Sequence, residues 1–220
     1  MTFLVKICGL SDEATLDVAL EAGADMIGLV HFPPSPRHVE LQKAQDLAAR
    51  ARGRAAIVAL TVDADDALMD AVIAAIEPDC LQLHGKESPE QVAALAARHG
   101  RPVMKALGIS TPADVARAAA YAPVCERLLF DAKPPKDATR PGGLGATFDW
   151  ELLDALDPAV RFMLSGGLNA ETVAAAIAAT RCEGVDVSSG VEAAPGIKDP
   201  DRIRAFIVAA RDAAAVRSLS

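Results

Sequence analysis

An alternation runs the length of the chain and constrains its fold more than any other feature. Short apolar runs at Phe3–Ile7, Met26–Val30, Ala56–Thr61, Cys80–Leu83, Val103–Ala106, Arg127–Phe130, Arg161–Leu164 and Gly184–Val187 read as strands. Their length and bounding turn residues suit strands buried on both faces. Longer, Ala-rich amphipathic segments lie between and after them, at Asp12–Ala22, Leu41–Ala51, Ala64–Ile76, Pro89–His99, Ala113–Tyr121, Phe148–Leu156, Ala170–Thr180 and Pro200–Val216. Parallel strands need crossover helices, so the alternation predicts a parallel sheet. Eight such units in 220 residues, with no composition break resembling a linker, predict an α/β chain folded as a single (β/α)8 TIM barrel domain over residues 1–220. A doubly wound open sheet is the alternative, and the lack of a GxGxxG after the first strand speaks against it. Ser88-Pro89-Glu90, Thr111-Pro112 and Asn169-Ala170-Glu171 each set a capping residue before a helical segment.

In a barrel, the residues after each strand converge on one mouth, where ligands bind. Cys8 and Gly9 follow the first strand, and the proline-stiffened stretch Phe32 to Arg37 follows the second. Gln82 and His84 bracket the end of the fourth, and Asp131 ends the apolar run Leu128-Leu129-Phe130. Ser165-Gly166-Gly167 follow the seventh and Ser188-Ser189-Gly190 the eighth.

Each of these residues has a bland reading beside a chemical one. Glycines after strands seven and eight can be tight turns, but as a pair, with a helix expected directly after Asn169, they predict a phosphate site built from backbone N–H groups. A free cysteine is commonly a small buried hydrophobe, which is how Cys80, Cys125 and Cys182 read, whereas Cys8 sits beside a glycine at the mouth. Asp131 suits a half-buried general acid or a brace for the next loop. Arg37 suits a bidentate clamp on a carboxylate or a solvated surface charge. For His84, ligand contact and structural imidazole stand side by side. Asp186, inside strand eight, needs either substrate hydroxyls or a structural partner. The Pro- and Gly-rich stretch from 133 to 147 is a surface loop or a mobile lid.

Composition narrows the partners. The chain is 51% apolar, 24% charged and 4% aromatic, with a net charge of -8, which argues against nucleic acid and leaves room for a small anionic substrate. Four scattered cysteines without CxxC or Cys/His spacing predict no zinc site. No apolar run reaches spanning length and no leader pattern opens the sequence, so no membrane partner and a cytoplasmic, reduced protein are expected. A monomer is expected too, since nothing marks an interface.

Taken together, several stretches resemble phosphoribosylanthranilate isomerase, a tryptophan-biosynthesis enzyme family that performs an Amadori rearrangement. They are Val5-Lys6-Ile7-Cys8-Gly9, Gly23-Ala24-Asp25, Ser35-Pro36-Arg37, Leu81-Gln82-Leu83-His84-Gly85 and Leu129-Phe130-Asp131. Gly142-Gly143-Leu144-Gly145, Phe148-Asp149-Trp150, Ser165 to Asn169, Gly184 to Glu192 and Pro195 to Asp199 complete the set, which runs essentially end to end. The resemblance implies Cys8 as general base, Asp131 as general acid and Arg37 as the clamp on the anthranilate carboxylate. It implies phosphate held by the Gly166-Gly167 and Ser188-Ser189-Gly190 loops, and no metal or organic cofactor. Leu144 departs from the small polar residue expected there. A histidine-biosynthesis isomerase with an aspartate in place of Cys8 is one alternative. A catalytically silent phosphosugar-binding barrel is another, which needs neither Cys8 nor Asp131.

Overall fold

The computed structural model describes residues 3–133 and 141–218. Among the described residues, eight parallel strands close into a barrel in sequence order: β1 (Leu4–Cys8), β2 (Met26–Val30), β3 (Ala56–Thr61), β4 (Cys80–Leu83), β5 (Val103–Ile109), β6 (Arg127–Ala132), β7 (Phe162–Leu164) and β8 (Gly184–Val187). β8 pairs back onto β1, so no strand edge is left open. Around it run α1 (Glu13–Glu21), α2 (Leu41–Ala51), α3 (Asp66–Ile76), α4 (Pro89–His99), α5 (Pro112–Ala116), α6 (Ala118–Tyr121), α7 (Val173–Ala179) and α8 (Pro200–Arg217). The chain is therefore a (β/α)8 barrel.

Side-chain alternation along each strand builds two separate cores. Outward residues such as Val5, Ile7, Phe130 and Phe162 pack under the helices in the large core. Inward residues near the strand starts, among them Met26, Val58, Cys80, Met104 and Met163, plug the barrel interior. Toward the strand ends the interior turns polar, with Lys6, Gln82, Asp131 and Asp186 all buried. The helices start where capping chemistry allows. Ser88 and Gln91 form a reciprocal capping box on α4, with Pro89 in its first turn, and Asp199 accepts from two N–H groups at the start of α8.

Several elements differ from the sequence reading. β5 and β6 run to Ile109 and Ala132 because they pair with each other that far, placing Asp131 inside its strand opposite Gly108. The helix expected at Ala113–Tyr121 is two short helices meeting at Arg117. The one expected at Phe148–Leu156 is a 3-10 helix, Trp150–Ala155. Its apolar positions Trp150, Leu153 and Leu156 recur every third residue, the 3-10 repeat rather than the α one. Regular helix is reached at Val173 rather than Ala170, and Asn169 caps the turn before it, its side chain accepting from the Glu171 and Thr172 N–H groups. After β8, a hairpin of β9 (Glu192–Ala194) and β10 (Ile197–Lys198) comes where no strand was expected.

Candidate active site

Cys8, Arg37, Gln82, His84, Asp131 and Asp186 all line one cleft at the carboxyl ends of the strands. The space it outlines is about 790 Å³, the part open to solvent included. Gly166, Gly167, Ser188 and Ser189 line it too, whereas Asn169 and Gly190 are absent from its wall. Asn169 is committed to its capping turn, and Gly190 packs so closely on the Leu168 carbonyl that a side chain there would collide with it.

The floor of the cleft comes from β1, β2 and β8. Cys8 faces inward, 4% exposed, beside Val30 and Leu60. Burial pushes its thiol above the ordinary range, Lys6 and Lys198 pull it back, and Asp186 pushes with burial. Lys6 donates to Asp186 Oδ1 at 2.7 Å, and Ser165 Oγ donates to Asp186 Oδ2 at 3.4 Å. The choice between substrate and structural partners for Asp186 thus has a structural answer on one side, while the residue still reaches the cleft wall.

Opposite, β6 presents Asp131, 6% exposed. Its Oδ1 accepts from the Ala132 N–H at 2.8 Å, and its Oδ2 lies 3.5 Å from His84 Nε2. The loop after β6 closes over this pair: a Cβ on Gly142 would sit 2.5 Å from Asp131 Oδ2 and 2.8 Å from His84 Cε1. Residues 134–140 of the lid candidate lie outside the described residues. Gln82 is 1% exposed, and neither side-chain polar atom has a hydrogen-bond partner among the described residues. A buried amide left open in this way is suited to a ligand or a bound water.

Arg37 is neither solvated nor a free clamp. Its Nε and Nη2 donate to the two oxygens of Glu192 at 2.7 and 2.8 Å, and Nη2 also donates to the Gly143 carbonyl at 3.1 Å. Nη1 is the nitrogen left over, with no hydrogen bond among the described residues. Glu192 is shared with Lys198, whose Nζ donates to its Oε1 and to the Ser188 carbonyl, both at 2.8 Å. The rim pairs thus connect the arginine to the loop after β8. Glu192 and Lys198 fall in stretches the sequence comparison singled out, but nothing in spacing alone gave them a role. Lys6 carried a clearer signal: a lysine within an apolar strand has to find a buried partner.

The loops after β7 and β8 have the backbone that anion binding needs. Gly166 and Gly167 have φ of 89° and 62°, a region side chains rarely adopt. Neither the Gly167 N–H nor the Ser189 N–H has a partner among the described residues. Ser188 Oγ donates to the Cys8 carbonyl at 3.0 Å, tying this loop to β1.

A closed (β/α)8 barrel with ionisable groups from several strands gathered at its carboxyl-end mouth defines a barrel enzyme. The family model for N-(5'phosphoribosyl)anthranilate (PRA) isomerase matches residues 5–209. A relative from Afipia carboxidovorans, named N-(5'-phosphoribosyl)anthranilate isomerase, is 61% identical over 213 residues, covering 97% of this chain and 91% of its own. The solved structure of monomers generated from the dimeric phosphoribosylanthranilate isomerase of Thermotoga maritima shares 34% identity and a TM-score of 0.81, over 96% of this chain and 100% of its own. A phosphoribosyl anthranilate isomerase in complex with reduced 1-(o-carboxyphenylamino)-1-deoxyribulose 5-phosphate matches at 33% identity and a TM-score of 0.82, with the same coverage. The chain belongs to the N-(5'-phosphoribosyl)anthranilate isomerase family, and its activity is the isomerase step of tryptophan biosynthesis.

Proposed function

We propose that the chain converts N-(5-phosphoribosyl)anthranilate to 1-(2-carboxyphenylamino)-1-deoxyribulose 5-phosphate by an Amadori rearrangement, with Cys8 as general base and Asp131 as general acid. The observation that carries this reading is the shared cleft: the two residues enter it from β1 and β6, with Arg37 at its rim. Asp131 protonates the furanose ring oxygen, and the ring opens to an iminium at C1. The iminium acidifies the C2 proton, which the Cys8 thiolate removes. The enolamine then tautomerises to the ketose, so that one hydrogen has moved from C2 to C1 and no atom is gained or lost. Each proton transfer by a placed side chain contributes ~10²–10⁴-fold. The iminium is its own electron sink, so the scheme calls on no metal or organic cofactor.

The remaining residues bind. Arg37 Nη1 meets the anthranilate carboxylate, and Val30, Phe32 and Leu60 beside it offer an apolar wall to the ring. Gln82, His84 and Asp186 face the ribose hydroxyls. The phosphate sits on the N–H groups of Gly167 and Ser189, with Gly166 and Ser188 shaping the approach and Asn169 and Gly190 fixing the loops. Lys198 supports the Ser188 turn from beneath.

The protein acts in the cytoplasm as a monomer formed of one barrel domain. Among the described residues, Leu144, Ile197, Val208 and Val216 are the exposed large apolar side chains, and no described helix is long and apolar enough to cross a membrane. Light scattering on the purified chain tests the monomer, and a dimer mass overturns it. Steady-state turnover of N-(5-phosphoribosyl)anthranilate tests the reaction itself. A folded protein that binds this substrate without turning it over would overturn the scheme.

A further inference from the structure

One charged group beside the thiol has no part in the acid–base scheme. Lys6 lies at the middle of β1, faces into the barrel and is fully buried. It and Asp186 are direct neighbours in the β1–β8 register, and their side chains meet at 2.7 Å. Cys8 is two residues further along the same strand, hence on the same face. On the other side, β2 pairs Gly28 with Cys8. A Cβ at Gly28 would lie 2.7 Å from Cys8 Sγ and 3.2 Å from Lys6 Nζ. The missing side chain therefore leaves sulfur and ammonium facing one small space.

We propose that Lys6 is a positioning residue for the isomerase reaction: its ammonium, locked by Asp186 and reaching the sulfur through the gap at Gly28, stabilises and aims the Cys8 thiolate. The proposal rests on the reading of Cys8 as the base. A buried ion pair adds little stability over an apolar pair of the same volume, so fold stability alone gives no reason to keep a lysine inside the barrel. A thiolate in apolar surroundings, by contrast, needs a cation.

The charged groups facing the sulfur are Lys6 on its own strand, Asp186 on β8 and Lys198 on β10, and Lys6 acts on it most strongly of the three. Burial pulls the Lys6 ammonium toward losing its proton, but Asp186 and Cys8 together outweigh it and hold Lys6 charged. Lys6 therefore keeps its proton throughout the reaction. The C2 proton goes to sulfur, and the ammonium raises the fraction of sulfur ready to take it.

The test is the pH dependence of Cys8 alkylation by iodoacetamide, followed on the Cys8 peptide by mass spectrometry. In Lys6→Gln the alkylation midpoint should rise by about one pH unit or more, roughly a tenfold loss of thiolate at a given pH. Lys6→Met combined with Asp186→Leu removes the pair without stranding a carboxylate, and so serves where Lys6→Gln fails to fold. It too should shift the midpoint upward, because Lys6 outweighs Asp186 at the sulfur. A folded variant of either kind with the native midpoint overturns the proposal. Cys8→Ser separates the two claims. If it keeps its kcat, the base assignment fails whatever the midpoints do. If it is inactive while the Lys6 variants keep the native midpoint, only the role of Lys6 fails.

Discussion

Two buried charge clusters serve the same cleft, and they differ in how their members are held. On the floor, Lys6 and Asp186 are register partners on adjacent strands, so the barrel backbone itself sets them side by side. At the rim, Glu192 and Lys198 are register partners as well, but on a short hairpin outside the barrel, and Arg37, from the loop after β2, is seated on Glu192 by side-chain hydrogen bonds. The charge count differs too. On the floor one carboxylate serves one ammonium, and Lys6 is held charged. At the rim one carboxylate serves two cations. Lys198 there is pushed toward losing its proton, chiefly by burial and further by Arg37 against the pull of Glu192. Glu192 is held below the usual carboxylate range although burial pushes it up, because Arg37 and Lys198 bond to it. Where backbone register holds a group, a substitution changes chemistry. Where side chains hold one another, a substitution changes position and affinity.

The sharpest way to break this contrast is Cys8→Ser, on the floor. The change nearly preserves size and leaves Lys6 and Asp186 in register, so folding should hold and KM should stay close to native. A hydroxyl is too weak a base at neutral pH, and kcat should fall ~10²–10⁴-fold. Steady-state kinetics with a circular dichroism check measures it, and a folded variant that keeps most of its kcat removes Cys8 from the mechanism.

Rim substitutions should behave the other way. Arg37→Ala removes the nitrogen assigned to the substrate carboxylate in ground and transition states alike, so KM should rise roughly 10–100-fold with kcat less affected. Glu192→Gln touches no substrate atom in the proposed pose. It strands two buried cations and should cost about 3 kcal/mol in chemical denaturation, with KM rising about tenfold as Arg37 loses its seat. A Glu192→Gln variant with native stability and native KM would show that Glu192 does not seat Arg37.

The fold was readable from alternation because strand and crossover helix each have a distinct period. The mouth was readable as far as residues at strand ends go: Cys8, Gln82, His84, Asp131 and Asp186 all reach the cleft. What alternation could not show was pairing across distant chain segments. Arg37 and Glu192 are 155 residues apart and meet only once the barrel closes. Asn169 caps as its sequence context suggested, accepting from the N–H groups two and three residues on, but the regular helix starts three residues later than expected, at Val173. The 3-10 segment at Trp150–Ala155 carried its period of three openly, but a short amphipathic stretch reads as α-helix unless that spacing is weighed.

A smaller effect follows from the floor's electrostatics. The Cys8 thiol lies above its ordinary range because burial outweighs its cations. At neutral pH most of it is protonated, and raising the pH creates the active thiolate. The rate of Cys8 alkylation by iodoacetamide, which follows the thiolate alone, should therefore climb toward tenfold per pH unit from pH 7 upward, levelling as the thiol titrates. A profile that is flat or falling across this range would mean that burial does not hold this thiol protonated at neutral pH.

The smallest effect is expected in the loop that covers both clusters, and it separates contact from mere proximity. Gly143 lies against the rim: a Cβ there would sit 2.5 Å from Arg37 Nη1, and its φ of 69° disfavours any side chain. Leu144, one residue on, is 40% exposed. Gly143→Ala should displace the Arg37 fork and raise KM several-fold, a milder form of the Arg37→Ala result. Leu144→Ser restores the small polar residue expected at that position and removes no buried contact of the rim cluster. Surface changes of this kind usually stay within about 0.5 kcal/mol, so stability should be unchanged within that margin and kcat/KM should stay within about twofold. Kinetics on both variants under one set of conditions makes the comparison. If Leu144→Ser shifts KM as much as Gly143→Ala, the loop acts on substrate through its exposed side chain, and the rim cluster is not what sets affinity.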